Sequence, residues 1–548
     1  MNNTLSAIAV DLTPVLPGGE NGGAKIFVLE LLNRLAEIAP KTQFVLLTQA
    51  ASHEELAALD RVNMRRLMVV GPVKVDSLRP RLMRLASRFL PHLPVRLRSV
   101  VSRLGYKLNT ILKRVGTKSL LRDMGADLLF CPFTAPTYFE PGIPTVCTIY
   151  DLQYKTYPEF FAAEDIAHRE RTFIEACLRA TALTAISDYS RDSAITHGSL
   201  DPNRIRTIHL RMAQRIVLGV ENYKEILGRF GLIPQQYLIY PANFWKHKNH
   251  EMLLTAFGMA CQGKLATNIK LVCTGAPGPR QEWLMKAART MQLGERVIFP
   301  GYLPNAELAA LMANCSGIVF PSLYEGFGLP VIEAMAAAVP VACSNSTSLP
   351  EVAADAAILF DPRIPTQIAQ AIVTLVEDKT LRTQLIQAGL QRAAVFTDSA
   401  RMAKEYWELF QYALDNEKHQ NLLTGVYADG WAGQCLNIQV APAARPQTLE
   451  IEFSAPEWLP QQRITVQARR SGKNQGDAIA FAHGTNAVLS LPIDTAGGYY
   501  EIMIAPTFVP ARTGHGKDQR ELSTMVQRCG IVGTDGEYIE LFPEKVPV

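Results

Sequence analysis

The segment Ser322–Met335, SLYEGFGLPVIEAM, constrains the fold of this 548-residue chain more than any other. Gly326–Gly328 predicts a loop whose backbone N–H groups can approach a ligand closely, and Pro330 suits the first turn of a helix. The segment therefore predicts a strand, a glycine loop and a helix N-terminus, an arrangement that binds phosphate. Glu325 in the loop and Glu333 one turn into the helix can reach hydroxyl groups on either side of a diphosphate. The alternative is that both glutamates are surface residues.

Strands and helices alternate on both sides of this segment, which predicts parallel sheets covered by helices on both faces. Helices are predicted, for example, at Lys25–Ile38 and Glu164–Arg179. Before residue 215 the strands are predicted at Ser6–Val10, Gln43–Thr48, Asp127–Phe130, Pro144–Ile149, Ala182–Ile186 and Arg206–His209. The later strands are predicted at Tyr237–Pro241, Ile269–Thr274, Val297–Phe299, Gly317–Pro321, Val339–Cys343 and Ala356–Phe360. Two such sheets leave a ligand cleft along the carboxyl ends of their strands.

After about residue 420 the pattern changes to short alternating strands with turns between them and no helical periodicity. These strands are predicted at Leu436–Val440, Thr448–Phe453, Arg463–Ala468, Ala487–Leu491 and Tyr499–Ile504. The fold class is therefore α/β, with two doubly wound Rossmann-like domains facing a cleft and a C-terminal all-β, sandwich-like module. The expected limits are 1–215 and 216–398 for the two domains, 399–419 for a connecting helix and 420–548 for the module.

Composition is that of a globular protein, with 48% hydrophobic and 19% charged residues and a net charge of +4. The nine cysteines are scattered without a C-x-x-C pair, which indicates reduced thiols. Neither a secretory signal nor a run of about 18 apolar residues is evident. We therefore expect a cytoplasmic protein and no nucleic-acid partner.

Residues 74–122 form a basic insertion in the first domain, with thirteen lysines and arginines against a single acid, Asp76. Leucine, valine and isoleucine recur between the basic residues at helical spacing. Such a stretch indicates contact with an anionic membrane surface, which would place the protein peripherally on the inner face of the plasma membrane. The alternative is a solvated helical insertion whose apolar stripe packs on its own domain.

Four segments together resemble glycosyltransferase family 4, whose members have the GT-B fold and retain the anomeric configuration of the transferred sugar. Within Ser322–Met335, E-G-F-G-L-P-x-x-E-A-M resembles the family's E-x7-E signature. Asn243–Phe257, NFWKHKNHEMLLTAF, resembles the H-K-N segment of the mannosyltransferase-like branch of polysaccharide and O-antigen assembly. Ser348–Pro362 and Ser187–Arg191 resemble two further family segments, and the resemblance covers roughly residues 5–415.

The resemblance implies a role for individual residues. Lys248 would pair with the donor diphosphate, Glu333 would hold the ribose hydroxyls, and Glu325 would contact the transferred sugar. The remaining implied contacts with donor or acceptor are made by backbone N–H groups and the N-terminal glycine loop: Phe327, Gly328, Leu329, Gly22 and Gly23. Leaving-group charge builds on the diphosphate, so fixed donors aimed at it would stabilise the transition state.

Two positions depart from the family pattern. Tyr150–Asp151 stands where many members have a His-Asp pair, and a tyrosine can donate a hydrogen bond there but cannot act as a near-neutral base. Residue 242 is alanine where a basic residue is common, and Lys246 or Arg191 is expected to substitute.

The expected activity is retaining transfer of a hexose, with mannose from GDP-mannose as the best candidate, to a growing surface polysaccharide or O-antigen. The partners are then a nucleotide sugar as co-substrate and a glycan or lipid-linked glycan acceptor. No D-x-D triplet occurs, so no metal or other cofactor is expected. The alternative is a catalytically weak scaffold protein that binds nucleotide sugar or glycan. In the β-module, Trp431, Trp458 and Tyr499–Tyr500 are either sugar-stacking or core residues.

Overall fold

A computed structural model of the chain describes residues 5–541 except 18–20, 72–119, 141, 199, 213–222, 417–420, 428, 442, 471–472, 496, 515–519 and 521. Nearly all of the basic insertion expected at 74–122, and the domain join expected at 215–216, lie outside these described residues. Three units are present: two parallel sheets flanked by helices, and an antiparallel sandwich. None of the described helices combines the length and apolar character that crossing a bilayer requires.

The first unit is a seven-stranded parallel sheet in the order β3-β2-β1-β4-β5-β6-β7. Its inner strands are largely buried, and β4, β5 and β6 are buried at every position, as expected for a sheet covered on both faces. The strands are β1 (Ala7–Asp11), β2 (Gln43–Gln49), β3 (Met64–Val70), β4 (Leu128–Cys131), β5 (Thr145–Ile149), β6 (Ala182–Ala185) and β7 (Ile205–Thr207). The helices are α1 (Gly22–Ile38), α2 (Leu120–Asp123), α3 (Gln153–Thr156), α4 (Ala163–Arg179) and α5 (Asp188–Gly198), with 3₁₀ turns at Glu55–Leu59, Pro158–Phe160 and Pro202–Arg204.

The second unit is a six-stranded parallel sheet in the order β10-β9-β8-β11-β12-β13. Its strands are β8 (Tyr237–Pro241), β9 (Lys270–Thr274), β10 (Val297–Gly301), β11 (Gly317–Phe320), β12 (Val341–Ser344) and β13 (Ala357–Phe360). Its helices are α6 (Tyr223–Arg229), α7 (His250–Gln262), α8 (Pro279–Thr290), α9 (Asn305–Asn314), α10 (Leu329–Ala336), α11 (Leu349–Ala353), α12 (Pro365–Glu377) and α13 (Lys379–Ala394), with a 3₁₀ turn at Lys246–Lys248.

The helix α14 (Ser399–Asn416) does not simply lead to the β-module. It returns to the first unit and packs against α1, β5 and β6. Its Tyr406 ring is fully buried and lies 5.6 Å from Phe130, whose ring is 5.0 Å from Phe410. Burial of a Tyr or Phe side chain contributes about 2 kcal/mol, so this helix ties the second unit to the core of the first.

The third unit is a sandwich of a five-stranded sheet, β14-β15-β20-β17-β18, and a four-stranded sheet, β19-β16-β21-β22, all antiparallel. Alternate residues of its central strands are buried between the sheets. The strands are β14 (Leu422–Val426), β15 (Ala432–Val440), β16 (Gln447–Ser454), β17 (Arg463–Arg470), β18 (Lys473–Ala482), β19 (Asn486–Ile493), β20 (Gly498–Ala505), β21 (Met525–Gly533) and β22 (Tyr538–Glu540), with a short helix α15 (Pro510–Thr513).

Every strand predicted from the sequence is present, with ends shifted by at most a few residues. Five observed strands were not predicted: β3, β14, β18, β21 and β22. All nine cysteines lie among the described residues and are free thiols, as predicted.

Candidate active site

Four segments meet where the carboxyl edges of the two parallel sheets face each other. Tyr150–Asp151 follows β5 and Ser187 follows β6, both in the first unit. Lys248 lies in the turn after β8, and Glu325 lies in the loop between β11 and α10, both in the second unit. This edge is where open α/β sheets bind ligands.

Lys248 and Glu325 form an ion pair in which Nζ lies 2.6 Å from Oε1. The side chains are only 12% and 11% exposed, so the pair is largely removed from water. The Lys248 ammonium also lies 5.6 Å from the centre of the Phe320 ring. A cation held in such a low-dielectric site attracts an anion more strongly than an exposed lysine does.

The turn that carries Lys248 is fixed against the glutamate loop by backbone contacts. Asn249 adopts the left-handed conformation (φ 60°), and its side-chain amide donates to the carbonyl oxygens of Pro321 (3.0 Å) and Pro362 (2.8 Å). The Tyr240 hydroxyl donates to the Lys248 carbonyl oxygen at 2.8 Å. The ammonium and the carboxylate are therefore held together by their supporting backbone.

The loop ends at the N-terminus of α10, as the sequence predicts. Gly328 has φ +99°, and a Cβ there would lie 2.5 Å from Leu349 Cδ2, so glycine is required on two grounds. Phe327 is buried, and Glu333, in the middle of α10, is 3% exposed. The structure thus places the backbone of Phe327, Gly328 and Leu329 at a helix start directly after Glu325.

Gly326 lies in direct contact with the first unit. A Cβ on this residue would approach the Tyr150 carbonyl oxygen to well under 3.0 Å. The Ser187 hydroxyl donates to the Gly326 carbonyl oxygen at 2.7 Å, and the Ser190 hydroxyl donates to the Tyr150 carbonyl oxygen at 2.9 Å. The Leu152 N–H reaches the hydroxyl oxygen of Tyr324 at 3.3 Å. The two units are therefore closed on each other at this loop.

Asp151 lies beside Gly326 and is close to the Lys248–Glu325 pair. Burial raises the pKa of this carboxyl; the Gln153 N–H, Arg169 and Lys248 act to lower it, and the negative charge of Glu325 acts to raise it further. A buried carboxyl with a raised pKa, in a cleft that also holds an ion pair, is typical of a functional site.

Tyr150 directs its ring into the first unit. The ring lies 6.2 Å from Phe27 and 6.4 Å from Phe133, and its hydroxyl is buried with no hydrogen-bond partner among the described residues. Burial raises the pKa of this phenol well above its usual value, with a smaller contribution from Tyr406. In this arrangement the backbone of Tyr150 contacts the loop that carries Gly326, while its hydroxyl is turned away from solvent.

The remaining residues expected at the site are distributed on the first unit. Gly22 and Gly23 begin α1, and a Cβ on Gly23 would lie 3.2 Å from Leu329 Cδ1, so the glycine loop does face the start of α10. Arg191 pairs with Asp188 (2.9 Å) and Asp192 (2.8 Å) on its own helix. It therefore has carboxylate partners in this structure.

A second contact between the units, missed in the sequence, centres on Glu351. Its carboxylate accepts the N–H groups of Asp188 (2.8 Å) and Tyr189 (3.1 Å) at the start of α5, and lies 2.6 Å from His209 Nε2. Burial acts to raise the pKa of Glu351, but the His209 bond and the two N–H groups outweigh it and hold that pKa below its usual value.

Asp188, His209 and Glu351 are also the described residues whose ligand atoms lie close enough together, within 4.8 Å, to hold a metal ion. Hydrogen bonds from the Asp188 N–H and from His209 to Glu351 explain why these three side chains lie together, and they join the two units. In the sequence, the only indication of this contact is that Glu351 is an acidic residue near the start of a helix.

Two exposed aromatic residues at the carboxyl edge of the second sheet were not among the predicted site residues. Trp245 and Tyr302 follow the carboxyl ends of β8 and β10 and are 54% and 73% exposed. Their position after strands of the second sheet was readable from the sequence, but their exposure was not. Asp11, at the carboxyl end of β1, is buried, and one of its oxygens has no partner among the described residues.

A model of the family described as glycosyl transferases group 1 matches residues 231–392. This range runs from before β8 into α13 and so contains Lys248, Glu325 and Glu333. The part of the chain that carries these residues is therefore similar to the glycosyl transferases of group 1. The family is the one that the motifs in the sequence indicate.

The chain is 30% identical over 255 residues to O-antigen chain mannosyltransferase B of Escherichia coli, covering 46% of the chain and 66% of that relative. It is 27% identical over 293 residues to the serotype-specific mannosyltransferase WbdA of Escherichia coli, covering 50% of the chain and 35% of that relative. The chain therefore spans just under two thirds of the first relative and about a third of the second.

The solved structure of a glycosyltransferase from Rickettsia africae ESF-5 superposes with a TM-score of 0.53 at 12% identity, covering 75% of this chain and 100% of that one. At this identity the likeness concerns the fold alone. The chain thus has the predicted GT-B fold of two Rossmann-like domains, to which the C-terminal all-β module is added.

Proposed function

We propose that the chain transfers mannose from GDP-mannose, with retention of configuration, to a growing surface polysaccharide or O-antigen. The observation that carries the proposal is the buried Lys248–Glu325 pair, 2.6 Å apart, beside Asp151 and the N-terminus of α10. The relatives named as O-antigen and serotype-specific mannosyltransferases support the choice of sugar and of acceptor.

The donor diphosphate would lie between Lys248 and the start of α10. The ammonium supplies a positive charge, and the first N–H groups of the helix supply donors and a favourable dipole. When the diphosphate enters, Lys248 exchanges its partner Glu325 for phosphate oxygens. Glu325 is then available to accept hydroxyl groups of the transferred sugar, and Glu333 those of the ribose.

In the proposed reaction the bond between sugar C1 and the phosphate oxygen breaks while the acceptor oxygen bonds to C1 on the same face. The acceptor proton moves to an oxygen of the departing phosphate, so no protein base is needed. The developing negative charge stays beside Lys248 and the helix N-terminus, which stabilise it. Closure of the two units at Gly326 excludes water and limits hydrolysis of the donor.

We propose further that the reaction needs no metal ion, because Lys248 and the α10 N-terminus occupy the role of a cation at the diphosphate. The acceptor, a glycan or lipid-linked glycan, would enter from the first unit near Gly22 and Gly23. The basic stretch at 74–122 would hold the enzyme at an anionic membrane surface. Loss of vesicle binding on charge-neutralising substitution of that stretch would support this last step.

The test is calorimetric titration of the whole chain with GDP, UDP and ADP, with EDTA present. GDP is expected to bind selectively, and Lys248→Ala and Glu333→Ala are each expected to weaken binding at least about tenfold, as loss of a charge-assisted hydrogen bond does. Lys264→Ala is the matched control, because Lys264 is exposed just beyond the opposite end of α7.

Selective binding of UDP would contradict the GDP-mannose donor while leaving the cleft assignment in place. Binding of GDP without transfer to any mannose-containing acceptor would favour the scaffold function instead. Equal affinity in Lys248→Ala and wild type would contradict the placement of the diphosphate.

A further inference from the structure

Three aromatic side chains from separate loops meet at one end of the β-sandwich. Trp431 precedes β15, Trp458 lies between β16 and β17, and Phe508 follows β20. The ring centres are 5.5 Å apart for the two tryptophans, and 5.7 and 6.1 Å from these to Phe508. Phe508 is 6% exposed and joins the core below, whereas Trp458 is 47% exposed. We call these three residues the tryptophan platform.

The three loops are held by backbone hydrogen bonds. Tyr427 N–H donates to the Trp431 carbonyl oxygen at 2.7 Å, and the Leu459 N–H closes a turn around Trp458 at 3.0 Å. Phe508 exchanges two backbone bonds with Leu522, at 2.7 and 2.8 Å. The platform is therefore preorganised, which lowers the entropy cost of binding a ligand.

Polar groups lie beside the platform, on the same turn as Trp431. Arg520 donates two hydrogen bonds to the carboxylate of Asp429, and its guanidinium lies 4.6 Å from the centre of the Tyr427 ring. Gln461, three residues after Trp458 in the same loop, has a buried amide oxygen with no partner among the described residues. The surface thus presents donors and acceptors in fixed positions beside an apolar face, with the local charges balanced.

We propose that the tryptophan platform binds hexopyranose units of a neutral glycan chain. One face of a pyranose ring carries C–H groups and packs on an indole, while its hydroxyls project sideways towards groups such as Asp429 and Arg520. Trp458 is the exposed face of this cluster, and Trp431 and Phe508 support it from the side of the core. Three rings are too small a surface for a stable protein partner, which needs about 1,000 Å².

The platform lies at the end of β15 remote from the point where the chain enters the β-module. The chain enters the module at β14, where Leu422 pairs with Gln439 at the far end of β15, while Ala432 and the platform lie at the other end. A nine-residue strand spans about 30 Å. The platform is thus a second glycan site. That its glycan is the mannose polymer made in the cleft rests on the proposed function, whereas the sugar-binding character of the platform does not.

The test uses the whole chain in affinity gel electrophoresis with yeast α-mannan, dextran or galactan in the gel. The chain should be retarded by mannan, and Trp458→Ala should weaken retardation at least about tenfold, the loss typical of a central aromatic contact. Trp458→Tyr, which keeps an aromatic face, should stay within about threefold of wild type. Trp283→Ala removes a tryptophan that is 53% exposed on α8 and should change nothing.

Melting temperature and calorimetric GDP binding of each variant separate the two proposals. Suppose that mannan or dextran retards wild type but not Trp458→Ala, and that wild type binds no GDP. That result would support the platform and contradict the donor assignment. A wild-type chain retarded by none of the three polysaccharides would overturn the platform proposal. It would also be overturned if Trp458→Ala kept its retardation, or if that variant lost only a self-association detected by sedimentation.

Discussion

Gly326→Ala should separate closure of the cleft from binding of the donor. A methyl carbon packs at about 3.5 Å from its neighbours, yet here it would lie well under 3.0 Å from the Tyr150 carbonyl oxygen and 3.3 Å from Asp151 Cβ. The two units must therefore move apart by about 1 Å, and a displacement of that size costs on the order of a hundredfold in rate. That factor corresponds to about 3 kcal/mol of transition-state stabilisation.

The assay is single-turnover transfer from GDP-mannose to a mannose-containing acceptor, with nucleotide affinity measured separately by calorimetry. Affinity should remain within about threefold of wild type, because the proposed diphosphate site at Lys248 and α10 lies in the second unit. Gly278→Ala is the control, since a Cβ there meets nothing within 4 Å. An unchanged transfer rate in Gly326→Ala would refute the inference that the closed contact at Gly326 is used in turnover.

Three further predictions concern buried groups. Arg211→Ala should lower the free energy of unfolding by about 2 kcal/mol or more, because the buried Arg211 donates to the Val395 carbonyl oxygen and to Glu405. The control is Arg401→Ala, which removes a 61%-exposed partner of the same carboxylate and should cost about 0.5 kcal/mol or less. Thermal unfolding measures both. Burial raises the pKa of Asp11 to about 6, although hydrogen bonds from Thr13 act to lower it. The folded protein must therefore ionise a buried carboxyl as pH rises from about 4 to above 6. Over that range the free energy of unfolding of wild type should fall by about 3 kcal/mol relative to Asp11→Asn. A pH-independent difference, or an equal effect of the exposed Asp165→Asn, would contradict that pKa. Tyr150→Phe removes a buried hydroxyl without a partner among the described residues and should stabilise the fold by about 1 kcal/mol. Its transfer rate should be unchanged, and a tenfold loss would show that the hydroxyl reaches the donor after all.

The missed strands show what the sequence pattern can and cannot identify. Four of the five, β3, β14, β18 and β22, are at the edges of their sheets. An edge strand has one neighbour and more exposed positions, so its alternation is diluted by polar residues: β3 carries Arg65 and Arg66, and β18 is exposed over most of its length. The inner strands of the two parallel sheets are largely buried on both faces, and the central strands of the sandwich bury alternate residues. These are the two patterns that the sequence retains.

The candidate site divides in the same way. Lys248, Glu325 and the start of α10 were identified because each lies in a short motif whose local geometry follows from its own residues. The direction of the Tyr150 ring depends on Phe27 and Phe133, which are distant in the sequence. The bond from Glu351 to α5 joins two units. Contacts of this kind depend on how separate segments come together, and no local pattern records them.

The contacts of residues 324–328 explain why the short segment Ser322–Met335 is so informative about both the fold and the candidate site. Its Glu325 side chain pairs with Lys248 within the second unit, while its neighbours on either side contact the first unit through the Tyr324 hydroxyl and the Gly326 carbonyl oxygen. If the diphosphate binds as proposed, a shift of this loop towards it must also move the interface. Donor binding and closure would then be coupled through five consecutive residues. A substitution that changes one is expected to change the other unless, as with Gly326→Ala, it acts on the interface face alone.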